Sequence, residues 1–262
     1  MSEMFRFATA FNQFLLGWCV TGITTLPTDF DTDSALTPAN RPSWGNCGNP
    51  ISLDDNNVTI KANTDAIVGT TGTINGTIYT VVDNSNIGDQ IAAGNYNLAT
   101  TGVTDMSGLF TQATSFNEDI GHWDTSNVID MLGMFVGANQ FNQPLNSWNT
   151  ANVEKMSEMF HDAKQFNQPL NSWDTSNVTD MYAMFLNAKK FNQPLNSWNT
   201  ANVQNMSEMF YGSSSFNKAI GSWNTSAVTD TSYMFFGASA FNQNIGLWNT
   251  SAVTNMSAMF AG

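Results

Sequence analysis

Short hydroxyl and amide side chains recur in pairs along the chain, and hydrogen bonding is the chemistry they can do. Each pair is a serine followed two residues later by an asparagine or aspartate. Such groups suit contact with sugars or another repeating polymer, and identical sites favour weak multivalent binding. The same small side chains are also what close strand packing requires. The candidate binding residues are Ser147, Asn149, Ser172, Asp174, Ser197, Asn199, Ser222 and Asn224.

Side chains that could support catalysis do not form a recurring set. Glu154 and Glu158 lie four residues apart beside Lys155, but other repeats place threonine, glutamine or alanine at the glutamate positions. The two histidines, His122 and His161, occupy different positions of the repeat. An enzyme needs clustered carboxylates, a nucleophile with its base, or a metal set. We therefore expect a protein that is not an enzyme and that holds no metal or cofactor.

The negative charge of the chain argues against some classes of binding partner. The net charge is -13, although only 11% of the residues are charged. A chain this acidic should be repelled by nucleic acid and by anionic membrane surfaces. Apolar residues make up 42% of the chain, which argues against a disordered acidic tail. No run of eighteen apolar residues occurs, so we expect no direct insertion into a membrane.

A repeat of 25 residues positions the paired polar side chains. Tryptophan marks it, and valine and two phenylalanines keep the same period. Twenty-five residues cannot bury such side chains alone, but a copy stacked on each unit covers its apolar face. The period fits the leucine-rich class of 20–29 residues. The tryptophans are Trp123, Trp148, Trp173, Trp198, Trp223 and Trp248.

The apolar spacing inside one unit predicts its local structure. We expect a short strand from Leu145 to Thr150, with the tryptophan and threonine pointing inward and the serine and asparagine outward. A second extended piece should follow near residues 153–156, and a single helical turn should carry Met159 and Phe160. Stacked asparagine amides from each F-N-Q should satisfy buried backbone groups. The predicted fold class is a repeat solenoid, a stack of short parallel strands with single helical turns.

Four segments are expected. Residues 1–18 match 106–123 and form the end of a first array, and residues 98–262 form a second array. Between them, residues 19–50 read as a cap that a disulfide between Cys19 and Cys47 would pin, and two reduced buried thiols are the alternative. The disulfide would imply an oxidising compartment. Residues 51–97 contain turn signals and predict three or four short antiparallel strands that cap the second array.

The repeated unit W-[ND]-T-[SA]-x-V-x-x-M-x-x-M-F, followed by F-N-Q, resembles the BspA-type surface-protein repeat of mycoplasma lipoproteins and flavobacterial surface proteins. The resemblance covers residues 1–18 and 103–262. It implies a right-handed solenoid like that of leucine-rich repeats, exported to the cell surface. It also implies adhesion or host contact, and together with the short polar side chains it predicts a glycan or a surface protein as the ligand. The alternative is a structural spacer, or a fibre or decoration component of a cell surface or virus particle.

Both ends of the sequence fall inside a repeat. Met1 aligns with Met256, so residues 1–7 and 256–262 occupy equivalent positions. We therefore expect the chain to be one segment of a longer array or assembly. End-to-end or neighbouring-chain contacts would then cover the open repeats.

Overall fold

The computed structural model describes residues 2–13, 15, 19–20, 23, 25–44 and 48–262. Regular elements all lie before residue 103, and the chain from there to 262 is built from turns and single bridges. The elements are β1 (Cys19–Val20), a 3-10 helix (Pro38–Asn40), β2 (Ser43–Trp44), β3 (Ile51–Leu53), β4 (Ile60–Ala62), β5 (Thr71–Ile74), β6 (Thr77–Asp83), α1 (Ile87–Ala92) and β7 (Leu98–Gly102).

Two antiparallel hairpins precede the array. β3 pairs with β4 and β5 pairs with β6, which confirms the antiparallel strands predicted for residues 51–97. β7 then pairs with β6 in parallel, so the sheet continues beyond residue 97. The hairpins share a small core of Ile51, Ile60, Val81 and Ala99. They reach the array where the backbone N–H of Ile60 donates to a carbonyl of the first full repeat at 2.8 Å.

Successive repeats pack against one another at equivalent positions. Single parallel bridges join Asp105 to Asp130 and continue at the same position of each repeat as far as Asn255. The phenylalanine rings stack in register, with ring centroids 5.5 Å apart for Phe135 and Phe160. Methionine, tryptophan and valine side chains at their repeat positions lie in the same core. One repeat therefore covers the apolar face of the next.

Each repeat contains a run of turns, which we call the turn ribbon (residues 155–163 in one copy). The N–H groups of the ribbon alternate between two kinds of partner. The N–H of His161 donates to the carbonyl of Glu158 inside the ribbon at 3.0 Å, whereas that of Phe160 donates to Met184 of the next copy at 2.9 Å. The alternation continues along the ribbon. Backbone groups are thus satisfied without helix or strand.

The helical turn that we expected at Met159 and Phe160 is wrong. Glu158 and Asp162 have φ angles of 59° and 56°, and residues in this left-handed region interrupt a right-handed helix. They occupy the third position of successive turns, where a positive φ is typical of type II. The equivalent residues are Gly108, Gly133, Ala183, Glu208, Tyr233 and Ala258 for the first position, and Gln112, Gly137, Asn187, Gly212, Gly237 and Gly262 for the second.

The predicted strand from Leu145 to Thr150 is also not formed. The N–H of Trp148 turns back to the carbonyl of Leu145 at 3.2 Å, which removes it from any ladder. The side chain of Asn149 binds the N–H two residues further on. Trp148 and Thr150 are nevertheless buried and Asn149 is exposed, as expected, whereas Ser147, which was expected to point outward, is half-buried.

The described residues before 45 contain an additional turn ribbon. Asp29 and Asp33 have φ angles of 55° and 58°, four residues apart as in the array. The N–H of Phe5 donates to the carbonyl of Phe30 at 2.7 Å, so this ribbon lies against the turns that contain Phe5. The sequence gives little sign of it, because the segment lacks F-N-Q and its Trp44 lies 14 residues after Phe30, whereas the array keeps a spacing of 13. No helix among the described residues is long and apolar enough to cross a membrane.

Candidate binding faces

The four predicted serines line up along the stack, one in each repeat. The hydroxyl of Ser147 donates to a backbone carbonyl of the preceding repeat at 2.5 Å, and that of Ser172 does so at 2.9 Å. Ser197 and Ser222 make the same contact, the latter at 3.5 Å. The serines therefore join neighbouring repeats, and their donor hydrogens are not free for a ligand.

The predicted asparagines and aspartate form a row beside the serines. In Asn149, Asp174, Asn199 and Asn224 the Oδ1 atom accepts the backbone N–H two residues later, at 2.9–3.1 Å. Such caps are typical of Asx turns. No described residue accepts a hydrogen bond from the Nδ2 atoms of the three asparagines. We call these three the donor row, since their amide N–H groups point away from the backbone they cap.

A second row of asparagines was missed by sequence reasoning. The Nδ2 atoms of Asn127, Asn152, Asn177 and Asn202 donate to backbone carbonyls of the preceding repeat at 2.7–2.9 Å. Their Oδ1 atoms accept from no described residue, and we call these four the acceptor row. The signal was present, since asparagine precedes valine in four consecutive copies. Three members of the row line a groove of about 590 Å³ together with Thr101, Gly102, Thr104, Ile129 and Glu154.

The two rows present opposite halves of the same chemical group. Asn149 and Asn152 flank a turn in which the N–H of Val153 donates to Thr150 at 3.0 Å. Stacked repeats continue both rows along the face. A ligand hydroxyl can accept from one row and donate to the other, because a hydroxyl carries both functions. Both rows can therefore form hydrogen bonds with hydroxyl groups, with the carboxylates of Asp174 and Glu154 beside them.

The asparagines of the F-N-Q segments have a structural role, as predicted. Asn142 donates its backbone N–H to Oδ1 of Asn117 at 2.8 Å, and Asn167 does the same to Asn142 at 2.9 Å. The ladder continues to Asn242 with the same bond in each copy. These side chains satisfy backbone donors of the next repeat.

The carboxylates near Lys155 do not form a catalytic cluster. Glu154 lines the groove and Glu158 lies in the turn ribbon, while the lysine Nζ contacts Oδ2 of Asp130 at 2.7 Å. Hydrogen bonds from Ser107 hold the pKa of Asp105 below its ordinary value, with a smaller contribution from the charge of Lys155. The ion pair with Asp130 raises the pKa of the lysine. The parallel bridges place Asp105, Asp130 and Lys155 in one row, and the lysine reduces the repulsion between the carboxylates of that row.

The two histidines lie in unrelated surroundings. His122 packs edge-on against Tyr79 with ring centroids 5.3 Å apart, and its Nε2 atom is buried without a partner. Burial lowers the pKa of His122, against a smaller opposing effect of Asp119. His161 lies on the surface with its Nδ1 atom 3.3 Å from Oε2 of Glu158. Within the described residues, no three histidine, cysteine, aspartate or glutamate side chains converge as metal ligands.

The predicted disulfide falls outside what the structure describes. Cys47 is not among the described residues, and only the backbone of Cys19 is described, in β1. The pairing of the two cysteines stays a prediction.

A family model described as "Mycoplasma protein of unknown function, DUF285" matches residues 1–45, 79–196 and 169–262. The unmatched residues 46–78 contain β3, β4 and β5, whereas the matched part includes the arrayed repeats. No curated protein and no solved structure matches the chain. Because the matches span more than half of the 262 residues, the chain belongs to this family of repeat-containing proteins of unknown function.

Proposed function

We propose that the protein is a non-catalytic binding rod of the BspA type, displayed at an extracellular surface. Its stacked repeats would form a right-handed solenoid like that of leucine-rich repeats. The ligand is a glycan, or the glycan of a surface protein, bound along the two asparagine rows. The observation that supports the proposal is an exposed donor row and an exposed acceptor row that lie three residues apart in successive repeats.

The arrangement favours a polymer over a small molecule. Each repeat offers one donor site or carboxylate, and four copies also offer one acceptor site. An isolated pair of hydrogen bonds in water contributes little to the binding free energy. Stacked rungs are about 4.8 Å apart, so a chain of sugars could meet several sites at once. Once one rung is bound, the next contacts become intramolecular, and affinity rises with the number of rungs engaged.

The test removes the outward amide N–H groups and keeps the backbone caps. Asn149, Asn199 and Asn224 are replaced together by serine in one variant and by aspartate in another. Asp174 makes the same cap in the native chain, at 2.9 Å, so the aspartate variant is expected to fold. A serine hydroxyl caps the same kind of turn more weakly, so the serine variant is expected to fold with somewhat lower stability. A glycan array probed with the native chain should show binding that both variants lose.

Two results would count against glycan binding by this face. One is a native chain that binds no glycan on the array. The other is a loss in the aspartate variant alone, which would indicate repulsion by three added charges and no role for the amide donors. Near-ultraviolet circular dichroism of each variant checks that the stacked aromatic rings are intact.

A spacer is the second candidate function, and the uniformity of the stack favours it. The segment FNQPLNSWNTANV occurs at 141–153 and again at 191–203. Equivalent ladder bonds recur in both copies. Duplication of this kind suits a part whose length matters, such as a fibre or decoration of a cell surface or virus particle. Electron microscopy of the source particle should then show a rod ending in a distinct tip.

A further inference from the structure

A surface of different chemistry lies on the outer side of the turn ribbons. It consists of Glu158, His161, Tyr182, Glu208 and Tyr211, which we call the acidic-aromatic patch. Each glutamate begins a turn that is closed by the N–H three residues later, from His161 and from Tyr211, at 3.0 Å in both. The two turns belong to ribbons two repeats apart, and the ribbon between them carries Tyr182.

The tyrosine at the centre of the patch is flanked by negative charge. Burial raises the pKa of Tyr182, and the charges of Glu208 and Glu158 raise it further. Two stacked rungs separate the glutamates, a distance of about 10 Å. The residues equivalent to Tyr182 in the adjacent copies are the buried Ser157 and Ser207. The ring therefore stands between small neighbours and within the field of three carboxylates, since Asp180 adds a smaller contribution to those of Glu208 and Glu158.

Aromatic surface continues from the patch along the stack. Tyr211 lies parallel to Phe236 with ring centroids 4.7 Å apart, and Tyr233 is 40% exposed beside them. Leu186 lies at the repeat position of His161 and Tyr211, in the copy between them, and is 8% exposed. The patch holds no lysine or arginine. Its one basic side chain, His161, already contacts Glu158 at 3.3 Å.

We propose that the acidic-aromatic patch binds the guanidinium or ammonium group of a basic polypeptide segment. The cation would lie over Tyr182, between Glu158 and Glu208. The face of a tyrosine ring attracts a cation, and carboxylates accept charge-assisted hydrogen bonds from it. The net charge of -13 also raises the rate of encounter with a basic segment. A neutral sugar stacked on the ring could donate hydroxyl groups to the carboxylates, but it would lack the Coulomb attraction that a cation gains from them.

The proposal is tested with a hexa-arginine peptide and the full chain, by isothermal titration calorimetry at about 0.15 M salt, where long-range attraction is screened. Replacing Glu158→Gln and Glu208→Gln together should weaken binding about tenfold or more, because two charged acceptors are lost. Tyr182→Ser should weaken it several-fold, since the face of the ring is lost. Serine stands at this position in five other copies, so the change is compatible with the ribbon: Ser107, Ser157, Ser207, Ser232 and Ser257.

A matched control removes the same number of negative charges outside the patch. Glu118→Gln with Asp89→Asn alters two exposed carboxylates outside the patch. Binding by this control should stay within about twofold of the native chain. Equal weakening in the control and the patch variants would show attraction by net charge alone, and unchanged binding by Tyr182→Ser and the double glutamine variant would overturn the site.

The glycan proposal is tested separately. The serine variant of the donor row should bind hexa-arginine as the native chain does. Displacement of the peptide by a neutral oligosaccharide, with no loss in the patch variants, would assign the aromatic surface to sugars and contradict a cationic partner. The two proposals can therefore fail independently.

Discussion

Trp173 joins two repeats with both parts of its side chain. Its ring stacks on Trp148 with centroids 6.3 Å apart and planes 4° from parallel. Its indole N–H donates to the carbonyl of Leu145 at 3.0 Å. Only 3% of the residue is exposed. The position thus combines apolar burial with a directional bond, and a tryptophan supplies both.

Replacing Trp173 by alanine should lower the free energy of unfolding by about 3–5 kcal/mol, because a large buried ring is lost from a packed stack. Trp173→Phe keeps a ring but removes the indole bond to the carbonyl of Leu145, which still accepts the N–H of Trp148 at 3.2 Å, so it should cost less, about 1–3 kcal/mol. Urea denaturation measures both. A loss below about 1 kcal/mol for the alanine variant would mean that the ring is not part of the core.

His122 predicts a pH dependence of stability. Burial depresses its folded-state pKa, so the unfolded chain binds the proton more tightly. The contribution of neutral His122 to the free energy of unfolding is therefore fully present above the unfolded-state pKa of about 6.5. It decreases as the pH falls below that value, by at most about 1.4 kcal/mol per pH unit. His122→Ser, with the serine of the equivalent Ser147, should remove this slope. An unchanged slope between pH 6.5 and 5 in denaturation curves would contradict the assignment to His122.

The asparagines show what could not be predicted from the sequence about individual residues. The sequence placed Asn149 on the outer face correctly and overlooked Asn152 three residues later. Both are exposed, but one amide caps its own backbone through Oδ1 and the other bonds the preceding repeat through Nδ2. Which half of an amide is left outward depends on the backbone groups of the neighbouring copy. Residue type alone does not contain that information.

The turn ribbon is the element that the sequence did not predict. Met156, Met159 and Phe160 have a spacing compatible with a helical turn, and all three are buried. The backbone differs because two positions in each copy adopt a positive φ. Glycine occupies these positions only in some copies, so a single repeat such as 151–175 gives no sign of them. Comparison of all seven copies would have supplied the signal.

The left-handed positions predict a pair of substitutions of opposite sign. Ala183 has a φ of 49°, and Ala183→Gly should raise the free energy of unfolding by about 0.5–1 kcal/mol, since the strain on Cβ outweighs the added freedom of the unfolded chain. Ala163→Gly, at a buried position without positive φ, should lower it by about 1 kcal/mol. Thermal and urea denaturation of both variants measure the difference. Destabilisation of equal size in both would show that φ strain is absent at residue 183.

The segment 19–50 carries its own prediction. If Cys19 and Cys47 are bonded, closing a loop of this length should stabilise the segment by about 3–4 kcal/mol. Mass spectrometry of protein made in an oxidising compartment should find one peptide pair that separates on reduction. Two free thiols that react with an alkylating reagent before reduction would show that the pairing is wrong.

The whole array behaves as a column in which each repeat contacts its two neighbours. Equivalent bonds recur at the same 25-residue interval, so the column has no unique central contact on which the rest depends. Stability is then approximately the sum of repeat and interface contributions. The sequence predicted this periodicity well, because aromatic side chains mark every copy. It could not predict how the hairpins at 51–83 meet the array, since that contact occurs once.

Removal of a whole repeat should therefore be tolerated. Deleting residues 151–175 joins Thr150 to Ser176 and restores the unit W-N-T-S-N-V. The shortened chain should fold with its near-ultraviolet circular dichroism preserved and a modestly lower melting temperature, because one set of interfaces is lost. Deleting residues 151–163, half a repeat, should abolish the cooperative transition. Similar melting of the two deletion variants would contradict a register-dependent stack.

Most of the bonds between turn ribbons run in one direction along the column. Their N–H groups face the higher-numbered copy, as in Phe135 to Met159 and Phe210 to Met234, both 2.9 Å, whereas the N–H groups at the start of each ribbon, such as that of Glu154, donate to the preceding copy, here to Ile129 at 2.9 Å. The dipoles of the larger set add along the axis, positive toward the higher numbers, and the smaller set opposes them in part. Two such columns meeting by identical ends would set donors against donors or carbonyls against carbonyls. Ribbon-to-ribbon growth is thus heterologous, head to tail, and leads toward filaments and away from twofold dimers.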